Sequence, residues 1–106
     1  MKERGLMDLA ELTETVEAIS RRYAANFGIE RNGDWFVLKV QEELGELTQA
    51  YLAQTGQSRR GGEPAELKAK LGDEVADLLC QLLLMARHAE IGVPEAIRRK
   101  WLKWAA

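Results

Sequence analysis

The sequence predicts an all-α protein, and two observations carry that prediction. Apolar residues recur every three or four positions through most of the 106-residue chain. Glycine and proline divide the chain into four such stretches, with no strand pattern of useful length between them. The length suits one helical domain over residues 1–106, or a subunit whose core a partner chain completes. We therefore predict a four-helix bundle that is completed by oligomerisation.

The first predicted helix runs from about Asp8 to Asn26. Asp8 can cap its start with Glu11 as the capping-box partner, and Gly28 lies just past its end. The apolar stripe that we expect to be buried consists of Leu9, Leu12, Val16, Ile19, Tyr23 and Phe27.

The second predicted helix begins after Asn32, with Asp34 as its N-cap, and continues to about Gln54. A polar, glycine-rich loop over residues 55–62 follows it. The expected buried stripe of this helix consists of Val37, Val40, Leu44, Leu47 and Tyr51.

The third predicted helix starts at Pro64 and reaches roughly to Glu90, and Gly92 and Pro94 then end it and open a short fourth helix over about 95–104. Apolar residues go nearly all the way round the third helix, so we expect it to be buried on several sides. A second subunit is the simplest cover for the extra face. The sequence therefore predicts a homo-oligomer, with a compact monomeric bundle as the alternative. The residues concerned are Leu78, Leu79, Leu82, Leu83, Leu84 and Met85.

Composition excludes several classes of protein. The 17 acidic and 15 basic residues give a net charge of −2, whereas proteins that bind nucleic acid or membrane surfaces usually carry a positive excess. No apolar run approaches the roughly 18 residues of a membrane span, and the N-terminus has no signal-peptide core, so we expect a cytoplasmic protein. Cys80 alone cannot form an intrachain disulfide or a cysteine-based zinc site.

The second and third helices share a sequence pattern. Residues 39–47 align with residues 70–78 at a constant offset of 31, and both segments read Lys, apolar, polar or small, acid, Glu, apolar, small, acid, Leu. Gly45 and Ala76 occupy the small position, where we expect them to permit close approach of the two helices. Lys39 opens the first segment one turn before Glu43 and lies between Glu43 and Glu46 in helical angle, and Lys70 repeats this position before Glu74 and Asp77.

This pattern places two carboxylate pairs beside the apolar stripes. Glu43 and Glu46 lie on neighbouring turns of one helix, and Glu74 and Asp77 repeat the arrangement on the other. If the two stripes face one core, the four carboxylates converge and repel unless cations lie between them. Hard divalent ions with oxygen ligands, Mg²⁺ first, suit such a site.

The same acids have two other interpretations. Glu43 and Glu74 could form ordinary i,i+4 pairs with the preceding lysines on a solvated helix face. A di-iron bundle needs Glu-x-x-His pairs, and the residue three positions before His88 is Met85, so that interpretation fails.

The two motifs resemble those of the MazG-like, all-alpha nucleoside triphosphate pyrophosphohydrolases. That superfamily is marked by an ExxE pair followed by an ExxD pair, which Glu43-Leu44-Gly45-Glu46 and Glu74-Val75-Ala76-Asp77 match with 27 residues between them. The resemblance covers about residues 35–104 of this single domain.

The resemblance implies a Mg²⁺-dependent hydrolase, with Mn²⁺ as a substitute ion, that cuts a nucleoside triphosphate between its α and β phosphates. It implies a homodimer or homotetramer, and it makes Glu43, Glu46, Glu74 and Asp77 the metal ligands. One of these acids, or the adjacent Glu42, would position or deprotonate the attacking water. The predicted role is house-cleaning of standard or modified nucleotides.

Basic and aromatic residues are candidates for substrate binding. Lys39 and Lys70 have the helical phase to meet phosphates, and Trp35 lies on the carboxylate side of its helix, where it can contact a base. The family places further phosphate contacts in the C-terminal tail, where Lys100 and Lys103 are the candidates. Its asparagine is absent from that stretch of this chain.

Three further residues receive structural interpretations. Arg59 and Arg60 lie in the loop between the motifs, where a basic tip could close over phosphates, but a solvated loop is the simpler interpretation. Trp101 is expected in the core, where it would dock the last helix.

Two other functions remain open. One is phosphoribosyl-ATP pyrophosphatase, a histidine-pathway member of the same superfamily. The other, from a different class, is a helical oligomerisation module or nucleotide-sensing subunit without catalytic activity.

Overall fold

A computed structural model of the protein describes residues 8–105 and contains four α-helices, a short 3₁₀ helix and no strand over that range. The all-α prediction is therefore confirmed, and the first three helices lie where the sequence placed them. The last helix begins two residues earlier than expected and gives way to a 3₁₀ turn. No helix in the described range is long and apolar enough to cross a membrane. The elements are α1 (Leu9–Phe27), α2 (Gly33–Gln54), α3 (Pro64–His88), α4 (Val93–Lys100) and the 3₁₀ helix Leu102–Trp104.

The ends of α1 are formed as the sequence predicts. The Asp8 carboxylate accepts a hydrogen bond from the Glu11 amide at 2.8 Å, and the Glu11 carboxylate accepts one from the Asp8 amide at 3.3 Å. Gly28 follows the helix with φ 64°, a left-handed conformation that glycine adopts without the strain a side chain brings.

Two other helix ends differ from expectation. The N-cap of α2 is Asn32 rather than Asp34, because the Asn32 side-chain oxygen accepts a 2.9 Å hydrogen bond from the Trp35 amide. Asp34 lies in the first turn instead, where its negative charge interacts favourably with the positive end of the helix dipole. The α3 helix ends at His88 with Ala89 as its C-cap, and the residue that then takes a left-handed φ of 60° is Glu90 rather than Gly92.

Helices α2 and α3 form an antiparallel hairpin. Ala53, near the end of α2, shares a cavity with Leu67 at the start of α3, whereas Trp35 and Leu84 share another at the opposite ends. The two helices make the largest helix–helix contact among the described residues. This packing brings the middle of one shared motif against the middle of the other.

The buried row of α2 is rotated by one residue from the predicted stripe. Phe36, Glu43 and Ala50, spaced seven apart, are buried. Val37, Leu44 and Tyr51, also spaced seven apart, remain about half exposed in the single chain, and that part of the prediction is wrong. The α3 helix covers the row one position earlier, which leaves the large apolar row open. Val40 and Leu47 are half-buried, as their position between the two rows requires.

The apolar stripe of α1 is buried only in its first half. Leu9, Leu12 and Val16 are half-buried, whereas the remaining members Ile19, Tyr23 and Phe27 are exposed. The expectation of a continuous buried stripe is therefore wrong for the single chain.

The single chain covers α3 on one side. Leu83 and Leu84 are buried, whereas a row of large apolar residues, Val75, Leu79 and Leu82, stays more than 40% exposed. The described residues therefore do not bury α3 on several sides, and cover by a second subunit stays a prediction.

The core expectation for Trp101 is wrong. Its side chain is 70% exposed, and Trp104 is exposed to a similar degree. The Trp101 amide still donates a 2.8 Å hydrogen bond to the Ile97 carbonyl at the end of α4, but no described element covers the Trp101 side chain, and Trp104 lies in the 3₁₀ turn.

A buried carboxylate fixes α1 to its neighbours. Glu17 accepts hydrogen bonds from Arg31 at 2.7 and 3.1 Å and from Arg21, and the Arg87 guanidinium lies 3.6 Å away. The Arg31 hydrogen bond is the main cause that lowers the pKa of Glu17 to about 2, against the opposing effect of burial. Each oxygen of this carboxylate therefore has a cationic partner, which ties α1 to α3 and to the segment before α2.

Candidate functional site

The motif carboxylates meet where α2 crosses α3. One oxygen from each of Glu43, Glu46 and Glu74 lies within 4.8 Å of the others. Glu43 is 8% exposed and Glu74 only 3%, whereas Glu46 lies at the open edge. The antiparallel hairpin produces this meeting because it pairs the centres of the two repeated segments. We refer to these three residues as the carboxylate cluster.

The cluster contains buried oxygen atoms that the described residues leave unpartnered. Neither Glu43 Oε1 nor Glu74 Oε1 receives a hydrogen bond from residues 8–105. Burial, followed by the charges of Glu46 and Asp77, raises the pKa of Glu43. Glu17, the other buried acid of the described residues, differs from Glu43 and Glu74 because each of its carboxylate oxygens accepts a hydrogen bond from Arg31.

This chemistry fits a hard divalent cation. Three converging carboxylates, two of them buried, offer oxygen ligands of the kind that Mg²⁺ and Mn²⁺ take. A cation there would partner the orphaned oxygens of Glu43 and Glu74 and offset the repulsion that raises the pKa of Glu43. Glu43, Glu46 and Glu74 are therefore the residues that could hold such an ion.

The other two candidate acids lie outside the cluster. Asp77 is exposed and does not join the three close oxygens, although its charge is near enough to raise the pKa of Glu43. Glu42 points outward and accepts a 2.9 Å hydrogen bond from Lys39. The structure thus brings together three of the four predicted ligands.

The small residues of the motifs do not mediate helix contact within the chain. A Cβ atom built on Gly45 would have no neighbour within 4 Å, and Ala76 is exposed. The predicted close approach at these positions is wrong for the single chain, because the packed row of α2 passes through Glu43 rather than Gly45.

The motif lysines are paired with the acids. Lys70 Nζ lies 2.7 Å from the Glu74 carboxylate, whereas Lys39 Nζ lies 2.9 Å from Glu42 and 3.9 Å from Glu43. The hydrogen bond to Glu42 is the main cause that raises the pKa of Lys39, and the hydrogen bond to Glu74 is the main cause that raises the pKa of Lys70. Both ammonium groups therefore lie at the border of the carboxylate cluster, as their helical phase predicts.

A polar cavity of about 450 Å³ opens on one side of the cluster. It lies between the second half of α2, the connecting loop and the first half of α3. Its volume falls within the range of small-molecule sites. We call it the loop-side cavity, and it is lined by Glu46, Gln49, Ala50, Ala53, Arg60, Gly61, Leu67, Lys70 and Glu74.

A second cavity of about 330 Å³ lies towards the other end of the hairpin, against α1. Its wall is mostly apolar and includes two aromatic side chains. Burial, helped by the charge of Asp77, raises the pKa of the Cys80 thiol in this wall. We call it the aromatic groove, and it is lined by Val16, Ile19, Ser20, Tyr23, Trp35, Lys39, Cys80, Gln81 and Leu84.

The candidate tail residues lie elsewhere on the molecule. Lys100 ends α4, and Lys103 belongs to the 3₁₀ helix, where its Nζ lies 5.2 Å from the Trp104 ring centroid. Neither lysine lines the loop-side cavity or the aromatic groove. His88 packs its ring 4.8 Å from the Phe36 ring, which agrees with the view that it is no ligand of the cluster.

Sequence reasoning did not select several residues that line these cavities. Gln49 lies three positions after Glu46, a helical spacing that could have indicated it. Tyr23 and Gln81 depend on how α1 and α3 pack, for which the sequence held no comparable signal. Arg60 was interpreted as part of a solvated loop, yet it lines the loop-side cavity.

Comparisons with protein-family models, with curated proteins and with solved structures give no match to this chain.

Proposed function

We propose that the protein is a Mg²⁺-dependent nucleoside triphosphate pyrophosphohydrolase of the MazG-like type. The observation that carries the proposal is the carboxylate cluster, with its two buried and unpartnered oxygens on Glu43 and Glu74. The ion pairs with Lys39 and Lys70 reach only the other oxygen of each acid. A solvated helix face therefore does not explain why Glu43 Oε1 and Glu74 Oε1 are buried without donors, which costs folding free energy. A polyanionic substrate that brings its own cations explains it.

The proposed reaction is hydrolysis of the bond between the α and β phosphates. Water adds to one phosphorus of the bridge, the P–O bond of the bridge breaks, and a nucleoside monophosphate and pyrophosphate form. Bound Mg²⁺ would neutralise phosphate charge and lower the pKa of the attacking water. Asp77, whose charge acts on Glu43 although it lies outside the close group of oxygens, is the candidate to accept a proton from that water or to complete the ligand set.

The residues around the cluster divide the work of substrate binding. Lys39 lies between the cluster and the aromatic groove, where its ammonium group can meet the α phosphate. Trp35 and Tyr23 line that groove and offer flat apolar surfaces to a base. Lys70 borders the cluster on its other side.

The active form is proposed to be a homodimer or homotetramer. Val75, Leu79 and Leu82 form an exposed apolar row on α3, and α2 carries a second such row at Val37 and Leu44. Rows of this kind indicate a surface that another protein covers. A Leu79→Glu variant should shift the native mass to that of a monomer in light scattering; a wild-type monomer would contradict this part of the proposal.

Hydrolysis assays test the proposed function. The purified protein would be incubated with ribo- and deoxyribonucleoside triphosphates and phosphoribosyl-ATP, with and without Mg²⁺, while monophosphate and pyrophosphate are measured. Glu74→Gln should lower the rate by about a hundredfold or more, as expected for loss of a group that holds catalytic charge.

The matched control is Asp73→Asn, which removes one negative charge from an exposed position beside Glu74. Its rate should stay within about twofold of wild type. Absence of Mg²⁺-dependent release from every substrate, or equal rates for wild type and Glu74→Gln, would reject the enzyme. Nucleotide binding without turnover would favour the nucleotide-sensing alternative.

A further inference from the structure

The loop between α2 and α3 brings an arginine to the loop-side cavity. Arg60 lines this cavity together with Glu46, Lys70 and Glu74. Its guanidinium group forms no ion pair with any residue of the described range 8–105, although two carboxylates line the same cavity. Because the Arg60 guanidinium group is not paired with a carboxylate, it can bind an anion that enters the cavity.

Contacts at both of its ends hold this loop in place. The Gln57 amide donates a 2.7 Å hydrogen bond to the Leu52 carbonyl of α2, and the Arg60 amide donates one of 3.1 Å to the Ser58 hydroxyl. At the other end, a Cβ atom on Gly62 would come within 3.2 Å of the Leu67 side chain of α3. The Gln57 hydrogen bond ties the start of the loop to α2 and Gly62 packs closely against α3, whereas the Arg60–Ser58 hydrogen bond lies within the loop itself.

The two cavities differ in chemistry and lie towards opposite ends of the hairpin, with the cluster residues between them in both helices. The aromatic groove has a mostly apolar wall and suits a base, whereas about half of the wall of the loop-side cavity is polar and includes the two cations Arg60 and Lys70. A substrate whose α–β bridge lies at the cluster and whose base lies in the groove places its β and γ phosphates in the loop-side cavity.

We propose that Arg60, together with Lys70, binds the pyrophosphate half of the substrate and holds it as the leaving group. This inference rests on the proposed pyrophosphohydrolase function. In this scheme water attacks the α phosphorus: its bond to the bridge oxygen then breaks, and that oxygen departs with the pyrophosphate and gains negative charge. Arg60 can offset that charge with two parallel N–H···O hydrogen bonds, whereas the Lys70 ammonium is shared with Glu74.

Binding of inorganic pyrophosphate tests the inference without requiring turnover. Titration calorimetry in Mg²⁺ buffer would compare wild type with Arg60→Gln and with the control Arg59→Gln. Arg59 is the adjacent loop arginine and lines a smaller neighbouring cavity but not the loop-side cavity. We expect Arg60→Gln to weaken binding by about tenfold to a hundredfold, the effect of a lost charge-assisted hydrogen bond, and Arg59→Gln by less than about twofold.

Product inhibition provides a second measurement. Arg60→Gln should raise the inhibition constant of pyrophosphate and leave that of the nucleoside monophosphate unchanged, while its melting temperature matches wild type. Equal pyrophosphate affinity in Arg60→Gln and wild type, equal losses in both arginine variants, or no pyrophosphate binding by wild type would each overturn the inference.

The two proposals fail in different ways. Arg60-dependent pyrophosphate binding without hydrolysis of any substrate would reject the enzyme and keep the subsite. Hydrolysis at wild-type rates with unchanged pyrophosphate affinity in Arg60→Gln would reject the subsite and keep the enzyme.

Discussion

Replacing Glu43 by glutamine should stabilise the protein when no divalent cation is bound. The change keeps the size of the side chain and removes one charge from the carboxylate cluster, whose oxygens lie within 4.8 Å of one another. At that distance two carboxylates repel by about 3 kcal/mol at an effective dielectric constant of about 20, and by about 1 kcal/mol in water. Lys39, at 3.9 Å from Glu43, offsets part of this repulsion.

The net gain in free energy of unfolding should be about 1–2 kcal/mol, because the exposed Glu46 is well solvated and one lysine opposes the repulsion. For a domain of this size, that corresponds to a rise in melting temperature of roughly 4–8 °C per kcal/mol. Circular dichroism melts in EDTA at pH 7 would measure it. Glu42→Gln is the matched control, because Glu42 loses the same charge outside the cluster.

The pH dependence follows from the raised pKa of Glu43. A carboxyl whose pKa is higher in the folded state adds stability at low pH and loses it as the pH rises through that pKa. The advantage of Glu43→Gln should therefore shrink as the pH falls below neutral. Mg²⁺ should reverse the order, since it stabilises wild type by mass action and Glu43→Gln less. A destabilised Glu43→Gln in EDTA, or equal melting of the Glu42→Gln and Glu43→Gln variants, would refute this reasoning.

Three further substitutions test the fold. Glu17→Gln should lower the free energy of unfolding by about 2–4 kcal/mol at pH 7, since it leaves Arg31 without its anionic partner. Because folding lowers the pKa of Glu17 to about 2, the difference between wild type and variant should disappear as the pH falls from about 4.5 towards 2. Asn32→Ala should cost about 1 kcal/mol in urea unfolding, and the Asp34→Ala control only a few tenths, unless the cap is misassigned. Glu90→Gly should raise the melting temperature through a gain of about 0.5–1 kcal/mol, and a fall would contradict the left-handed backbone at that position.

The sequence predicted those parts of the fold that depend on local chemistry. The capping box at Asp8 and Glu11 and the left-handed Gly28 involve residues a few positions apart, so their signals lie within one window of sequence. The repeat of Glu43 and Glu74 needed only the helical period and the assumption that the two helices share one core, although the row of α2 that faces it is not the predicted stripe.

What the sequence could not give was which apolar row faces the chain's own core. Helix α2 has two neighbouring rows, one through Phe36 and Glu43 and one through Val37 and Leu44. Hydrophobicity favours the second, whereas the structure buries the first. A rule that keeps acids out of the core selects the wrong row, because the buried Glu43 belongs to the candidate site rather than to the packing.

The position of Asp77 shows a related limit. Its spacing after Glu74 equals that of Glu46 after Glu43, yet only Glu46 joins the close group of oxygens. The repeat makes the two helices equivalent in sequence, but their flanks differ, since one end of the hairpin meets the loop and the other meets α1. These differences arise from tertiary packing, so the motif sequence alone cannot predict that Glu46 joins the cluster and Asp77 does not.

The sequence's only cysteine has a consequence for the redox behaviour of the molecule. Cys80 lies in the wall of the aromatic groove, and its raised pKa keeps the sulfur protonated at neutral pH. A protonated thiol is a weak nucleophile and reacts slowly with peroxides, disulfides and alkylating reagents. The groove therefore holds a sulfur that contributes packing rather than reactivity, and purification in air should leave it reduced.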